Sequence, residues 1–189
     1  MKRPIVFIVS VLLAATSVCA LAGCGAKETS STVTSTVQSS AAADAKETVA
    51  PEGGITAADA VFSYNGVDVE LNSDADAAVE ALGEYNDVSS QMSCHGEGED
   101  KTYTYNDFVL NTYPLDGQDR VLEIVVNSDT VATTKGIKIG DTAEQVKAAY
   151  GAGYREIGTY YAYDAGDKKS IQFLMEDGKV KEISYYYDV

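Results

Sequence analysis

The chain has 189 residues, with 14 Lys plus Arg against 29 Asp plus Glu, one His, three Cys, no Trp and thirteen Tyr. A net charge of −15 repels a phosphate backbone instead of releasing its counterions, which disfavours nucleic acid as a partner. One His and three Cys cannot build a Cys/His zinc cluster of the common spacings, and the length suits one domain plus accessory segments.

Lys2 and Arg3 precede an uncharged run from Ile5 to Ala22, the layout of an export signal. A membrane-spanning helix is the rival reading, since about eighteen apolar residues could just cross a bilayer. Leu21-Ala22-Gly23-Cys24 favours the signal, because it resembles the lipobox of bacterial lipoproteins: a hydrophobic residue and two small ones before a Cys. Small residues let an extended backbone enter a peptidase, and only a thiol can form the thioether to a diacylglycerol. The resemblance implies removal of residues 1–23, acylation of Cys24, and anchoring to the lipid bilayer outside the cytoplasm, on the bacterial cell membrane. Loss of Lys2 and Arg3 leaves 12 basic against 29 acidic side chains, or −17 on the exported chain. Cys19 leaves with the signal and Cys24 is lipidated, so Cys94 has no disulfide partner. It is either a small buried hydrophobe or an exposed thiol.

Residues 24–59 show no sustained hydrophobic period, and nine of the twelve from Thr29 to Ser40 are Ser or Thr. Such a composition cannot bury enough surface to order itself and predicts a tether of about 30 Å average reach. Order is expected from Val61. Two alternating runs, Val61 to Tyr64 and Val67 to Leu71, flank Asn65-Gly66, the strongest short hairpin signal. From Asn72 to Gly83 the pattern predicts a short helix capped by Ser73 with Asp76 and stopped by Gly83. Ala75, Ala78, Val79 and Leu82 share its apolar face.

A second helix pattern, Asp141 to Gly151, matches the first at an offset of 68: Ile137 falls on Val69, Ile139 on Leu71, Asp141 on Ser73 and Gly151 on Gly83. Alternating runs follow each helix, over Lys101–Leu110 and Arg120–Val126, then Gly158–Asp164, Lys169–Met175 and Val180–Tyr187. Asp116-Gly117 and Asp177-Gly178 mark turns. The expected fold class is therefore α+β. Two tandem helix-plus-antiparallel-strands repeats, residues 60–129 and 130–189, would form one curved sheet with helices on one face. Chance similarity of two amphipathic helices is the competing reading. The stretch Thr133 to Thr142, with Glu144-Gln145-Val146 and Tyr150-Gly151, resembles the opening motif of the β-lactamase-inhibitory-protein-like repeat superfamily, which includes small lipoproteins of outer-membrane assembly. That resemblance implies a scaffold whose open sheet face meets a protein partner. It implies no chemistry, and the cysteine pairs that staple the inhibitory proteins are absent.

Candidate sites are few. Cys94-His95-Gly96-Glu97-Gly98-Glu99-Asp100 gathers a thiol, the only imidazole and three carboxylates. Alternating glycines predict a mobile loop, and no second His closes a coordination sphere, so no metal and no cofactor are expected. Asn72-x-Asp74-x-Asp76 fails as a calcium loop at Ala77 and Gly83. No nucleophile elbow or phosphate-cradling glycine motif occurs, so an enzyme is not expected. Tyrosine is the better clue, with eight of thirteen from Tyr150 onward. Tyr103, Tyr105, Tyr161, Tyr185 and Tyr187 are the candidates for an exposed binding face, because Tyr offers large area, few rotors and a polar tip; the competing reading is that these rings cover a thin core while their hydroxyls reach water. The expected function is a membrane-anchored lipoprotein binding an envelope or secreted protein through that face. The alternative is a small hydrolase or metal-binding sensor built on Cys94, His95 and the neighbouring acids.

Overall fold

The structure, a computed structural model, describes residues 54–189. The lipobox, Cys24 and most of the tether lie outside the described residues. Among those described, no helix is long and apolar enough to cross a membrane. After a 3₁₀ turn at Ala57–Ala60, β1 (Val61–Tyr64) and β2 (Val67–Glu70) pair antiparallel with Phe62 opposite Val69. Asn65 and Gly66 turn with φ of 51° and 84°, the left-handed geometry of a two-residue hairpin.

Helix α1 (Ala75–Leu82) starts one residue later than the sequence suggests. Asp74, not Ser73, is its cap and accepts the Ala77 N–H at 3.0 Å. Ser73 instead donates its hydroxyl back to the Glu70 carbonyl at 2.7 Å. Helix α2 (Ala143–Tyr150) carries a complete capping box: Thr142 Oγ1 accepts from the Gln145 N–H, and Gln145 Oε1 accepts from the Thr142 N–H at 2.8 Å. Thr142→Ala is expected to cost about 0.5–2 kcal/mol. A lowered urea midpoint at unchanged slope would show this, and an unmoved midpoint would contradict it.

The remaining strands are β3 (Asp87–Met92), β4 (Glu99–Thr104), β5 (Phe108–Leu115), β6 (Gln118–Val126), β7 (Arg155–Ile157), β8 (Tyr160–Gly166), β9 (Lys169–Glu176) and β10 (Lys179–Tyr187). They form one antiparallel sheet in the order β3-β4-β5-β6-β10-β9-β8-β7. The run Lys101–Leu110 is not one strand. It breaks at Tyr105-Asn106-Asp107, where the Tyr105 N–H bonds the Phe108 carbonyl at 2.9 Å and turns the chain from β4 into β5.

This architecture corrects the expected fold class. The described chain is 15% helical and 49% strand, a mostly-β protein of a two-stranded and an eight-stranded sheet, not an α+β tandem of helix-plus-strands repeats. Each helix has eight residues and buries one narrow stripe, whereas strands supply most of the core. The offset of 68 describes how two helix starts dock. Asn72 N–H and Ser73 carbonyl bond Val121, as Gly140 N–H and Asp141 carbonyl bond Val180, at 2.8–3.0 Å. It does not describe the architecture.

One face of the large sheet builds the core in cross-strand rows. Tyr161, Phe173, Ile183, Val126 and Phe108 form one row, and Tyr163, Ile171, Tyr185, Ile124, Leu110 and Tyr103 the next. Phe62, Val69 and Leu71 from the hairpin, Ala75 and Ala78 from α1, and Val146 and Tyr150 from α2 close over these rows. Alternation along each strand then sends the intervening side chains to the opposite face.

Candidate functional site

That opposite face is where the sheet has surface left to offer. Val109, Leu122, Val125, Tyr160, Leu174 and Tyr186 are half-buried hydrophobics outside the core cluster. From β6 across β10, β9 and β8 to the edge strand β7, Glu123, Ile157, Tyr160, Gln172, Ser184 and Tyr186 line a groove of about 330 Å³ made only of strand residues. Pairing sets this arrangement. Tyr186 lies opposite Glu123 on one side and Ser170 on the other, and Tyr160 lies opposite Leu174.

A hydrogen-bonded polar line leads from β4 and β5 to the groove. Thr102 donates to Asn111 Oδ1 at 2.9 Å, Asn111 Nδ2 donates to Glu123 Oε2 at 3.1 Å, and Ser184 Oγ donates to Glu123 Oε1 at 2.7 Å. One row over, Tyr160 donates its hydroxyl to Glu182 at 3.0 Å. Burial raises the Tyr160 phenol above its ordinary value, and the bond to Glu182 adds to this. Burial also raises Tyr186, helped by the charges of Asp188 and Glu123. Both hydroxyls stay protonated at neutral pH. The face thus carries fixed donors, two carboxylates and two aromatic rings, with side-chain partners holding much of the pattern in place.

The tyrosines singled out from sequence lie elsewhere. Tyr103, Tyr105 and Tyr185 are 8%, 6% and 2% exposed, and Tyr161 and Tyr187 are half-buried against the same core cluster. They do not form an exposed face: the hairpin and helices cover the side of the sheet they share. Tyr185 meets Phe62 at 5.7 Å between ring centroids, and Tyr105 stacks on Phe108 at 4.4 Å. Parity along β10 carried the missing signal. Ile183, Tyr185 and Tyr187 alternate together, so an aliphatic neighbour two residues away marks Tyr185 as inward and Tyr186 as outward.

Cys94 is exposed, which decides between the two readings of its thiol. Its loop is not the free connection that alternating glycines suggest. A Cβ on Gly96 would lie 3.0 Å from the Pro114 carbonyl oxygen, and one on Gly98, at φ +133°, 3.0 Å from Pro114 Cβ. The glycines let the loop lie against the end of β5, and the His95 ring meets Tyr113 edge-on at 6.0 Å.

No family model and no curated protein matches this chain. Among solved structures, it is similar to an uncharacterized protein of Escherichia coli, YfeY, at 15% identity and a TM-score of 0.42, covering 71% of this chain and 99% of that one. It is also similar to an extracellular SCP-domain protein of Bacillus anthracis, at 14% identity and a TM-score of 0.37, covering 62% of this chain and 44% of that one. At these scores neither likeness carries an argument about function, so the chain's own surface has to supply it.

Proposed function

We propose that the protein is a lipid-anchored extracytoplasmic binding protein that engages a protein partner through the outward face of its eight-stranded sheet. The observation that carries this reading is the groove around Glu123, Tyr160, Ser184 and Tyr186, where large half-buried side chains surround a prearranged hydrogen-bond pattern. Tyr at a partly desolvated surface supplies contact area at small entropic cost. Glu123 and Glu182, on a chain of charge −15, suit a partner segment bearing basic side chains. The anchoring half of the proposal rests on the lipobox resemblance at Cys24, and mass spectrometry of the mature chain tests it. An acylated Cys24 terminus is expected, and an intact Met1 terminus would refute it.

The binding half is tested by photo-crosslinking in the protein's own cells. A photoreactive residue replacing Tyr186 is expected to give a discrete adduct that disappears on Glu123→Lys. The same probe replacing Glu80, on the helix side of the sheet, should not give it. An adduct common to both positions, or one indifferent to Glu123→Lys, would overturn the assignment of the face.

A further inference from the structure

The loop between β3 and β4 brings three different metal-ligating groups together at the far edge of the sheet from β7. One donor atom each from Cys94, His95 and Asp100 lies within 4.8 Å of the others. Three features make this more than the chance meeting of polar side chains on a loop. The loop is closed on itself, the Ser93 N–H bonding the Gly98 carbonyl at 3.1 Å and the His95 N–H bonding Ser93 Oγ at 3.0 Å. It is also seated, because Gly96 and Gly98 approach Pro114 so closely that any Cβ would crowd it. Asp100, third, extends from β4 opposite Gln91, half-buried, with its Oδ1 atom buried and without a hydrogen-bond partner among the described residues. The adjacent cation does not serve it: Lys101 Nζ bonds Asp119 Oδ2 at 2.6 Å.

A buried carboxylate oxygen with no donor is costly unless something positive completes it. We propose that Cys94, His95 and Asp100 bind one zinc-class divalent cation. Thiolate sulfur, imidazole nitrogen and carboxylate oxygen are the three ligand types zinc takes, and three protein ligands leave a fourth tetrahedral position for water or a ligand. Softer thiolate with imidazole favours zinc over magnesium or calcium, which prefer all-oxygen sites. Ligation releases the Cys94 proton to solvent. The thiolate, neutral imidazole and carboxylate then place two negative charges against the two positive charges of the ion. This proposal departs from the expectation from sequence that no metal binds, and takes up the alternative of a metal-binding loop at Cys94 and His95. That expectation assumed a mobile loop and a need for a second His, whereas the third ligand comes from the strand. The inference is independent of the sheet-face reading, because the site lies on the β3–β4 hairpin and shares no residue with the groove.

The test uses the full chain with zinc, and with cobalt as the spectroscopic probe. One equivalent of zinc is expected to bind, and the cobalt adduct should show a thiolate-to-metal charge-transfer band in the near ultraviolet. Cys94→Ser, which leaves Cys19 and Cys24 in place, should abolish that band. His95→Ala and Asp100→Asn should each weaken zinc binding by about tenfold or more. All three positions sit on an edge hairpin, and circular dichroism would confirm that the variants fold. A band that survives Cys94→Ser, or zinc affinity unchanged in His95→Ala and Asp100→Asn, would overturn the proposal.

Discussion

Replacing Tyr185 by alanine is expected to lower folding stability by about 3–5 kcal/mol, the range for truncating a large aromatic ring in a packed core. Tyr185 is 2% exposed and lies in the cross-strand row between Ile171 and Ile124, under Phe62. Its sequence neighbour Tyr186 is half-buried on the other face, outside the core cluster, and Tyr186→Ala should cost only about 1 kcal/mol. Urea unfolding of the two full-chain variants, followed by circular dichroism, makes the comparison. Equal losses would mean that the two faces of β10 are not inside and outside. The comparison also separates stability from binding: an adduct from the probe at position 186 that is lost in Tyr185→Ala reports unfolding, whereas one lost in Glu123→Lys with the fold intact reports the face itself.

Local grammar in this sequence was legible and proportion was not. The Asn65-Gly66, Asp116-Gly117 and Asp177-Gly178 pairs all turn with both residues at positive φ, because the dipeptide alone nearly determines a two-residue hairpin turn. Both helices stand where their caps, stripes and terminal glycines put them, within a residue. What failed was weighing them. Strand β3, Asp87-Val88-Ser89-Ser90-Gln91-Met92, is exposed at all six positions and so carries no alternation to detect, although it pairs with β4 along its whole length. Strand β7 has three residues. Edge strands exposed at every position leave little trace in side-chain pattern, and omitting two of them inflated the apparent share of helix.

The same limit explains the misplaced binding face. Tyr is equally at home in a thin core and at an interface, so composition could not choose, and only its register against aliphatic neighbours could. Register also accounts for the Glu123 network: Glu123 becomes the hub of the outward face because Asn111 and Tyr186 lie opposite it on two partner strands, with Ser184 nearby in the same network. Nothing in the local sequence around Glu123 distinguishes it from the other acids. For the Cys94 loop, residue types were readable, but the seat on Pro114 is a contact between segments about sixteen residues apart that no spacing rule reports.

Raising the pH from about 10 to about 12 is expected to unfold the protein, because its core contains phenols whose ionised form burial excludes. Burial pushes Tyr150 and Tyr163 up to about 12, and Tyr185 is raised for the same reason. In the unfolded chain these phenols ionise near their ordinary value of about 10. Below that value both states are protonated and the core phenols contribute their full stability. Between about 10 and 12 the unfolded chain has released protons that the folded chain still holds. Stability therefore falls as pH rises, and the contribution is lost once the folded phenols ionise too. The outward Tyr160 and Tyr186 are raised as well, but they reach solvent and should ionise without unfolding. A pH titration of the full chain should therefore show phenolate absorbance in two stages, the second coinciding with loss of circular dichroism. Tyr150→Phe keeps the ring that packs on Tyr163 and Phe173, and removes the buried, ionisable hydroxyl. That variant should match the parent protein near neutral pH and hold its structure to higher pH. An alkaline transition unmoved by Tyr150→Phe, or all thirteen tyrosines ionising near pH 10 with the fold intact, would mean that these rings are not sealed in the core.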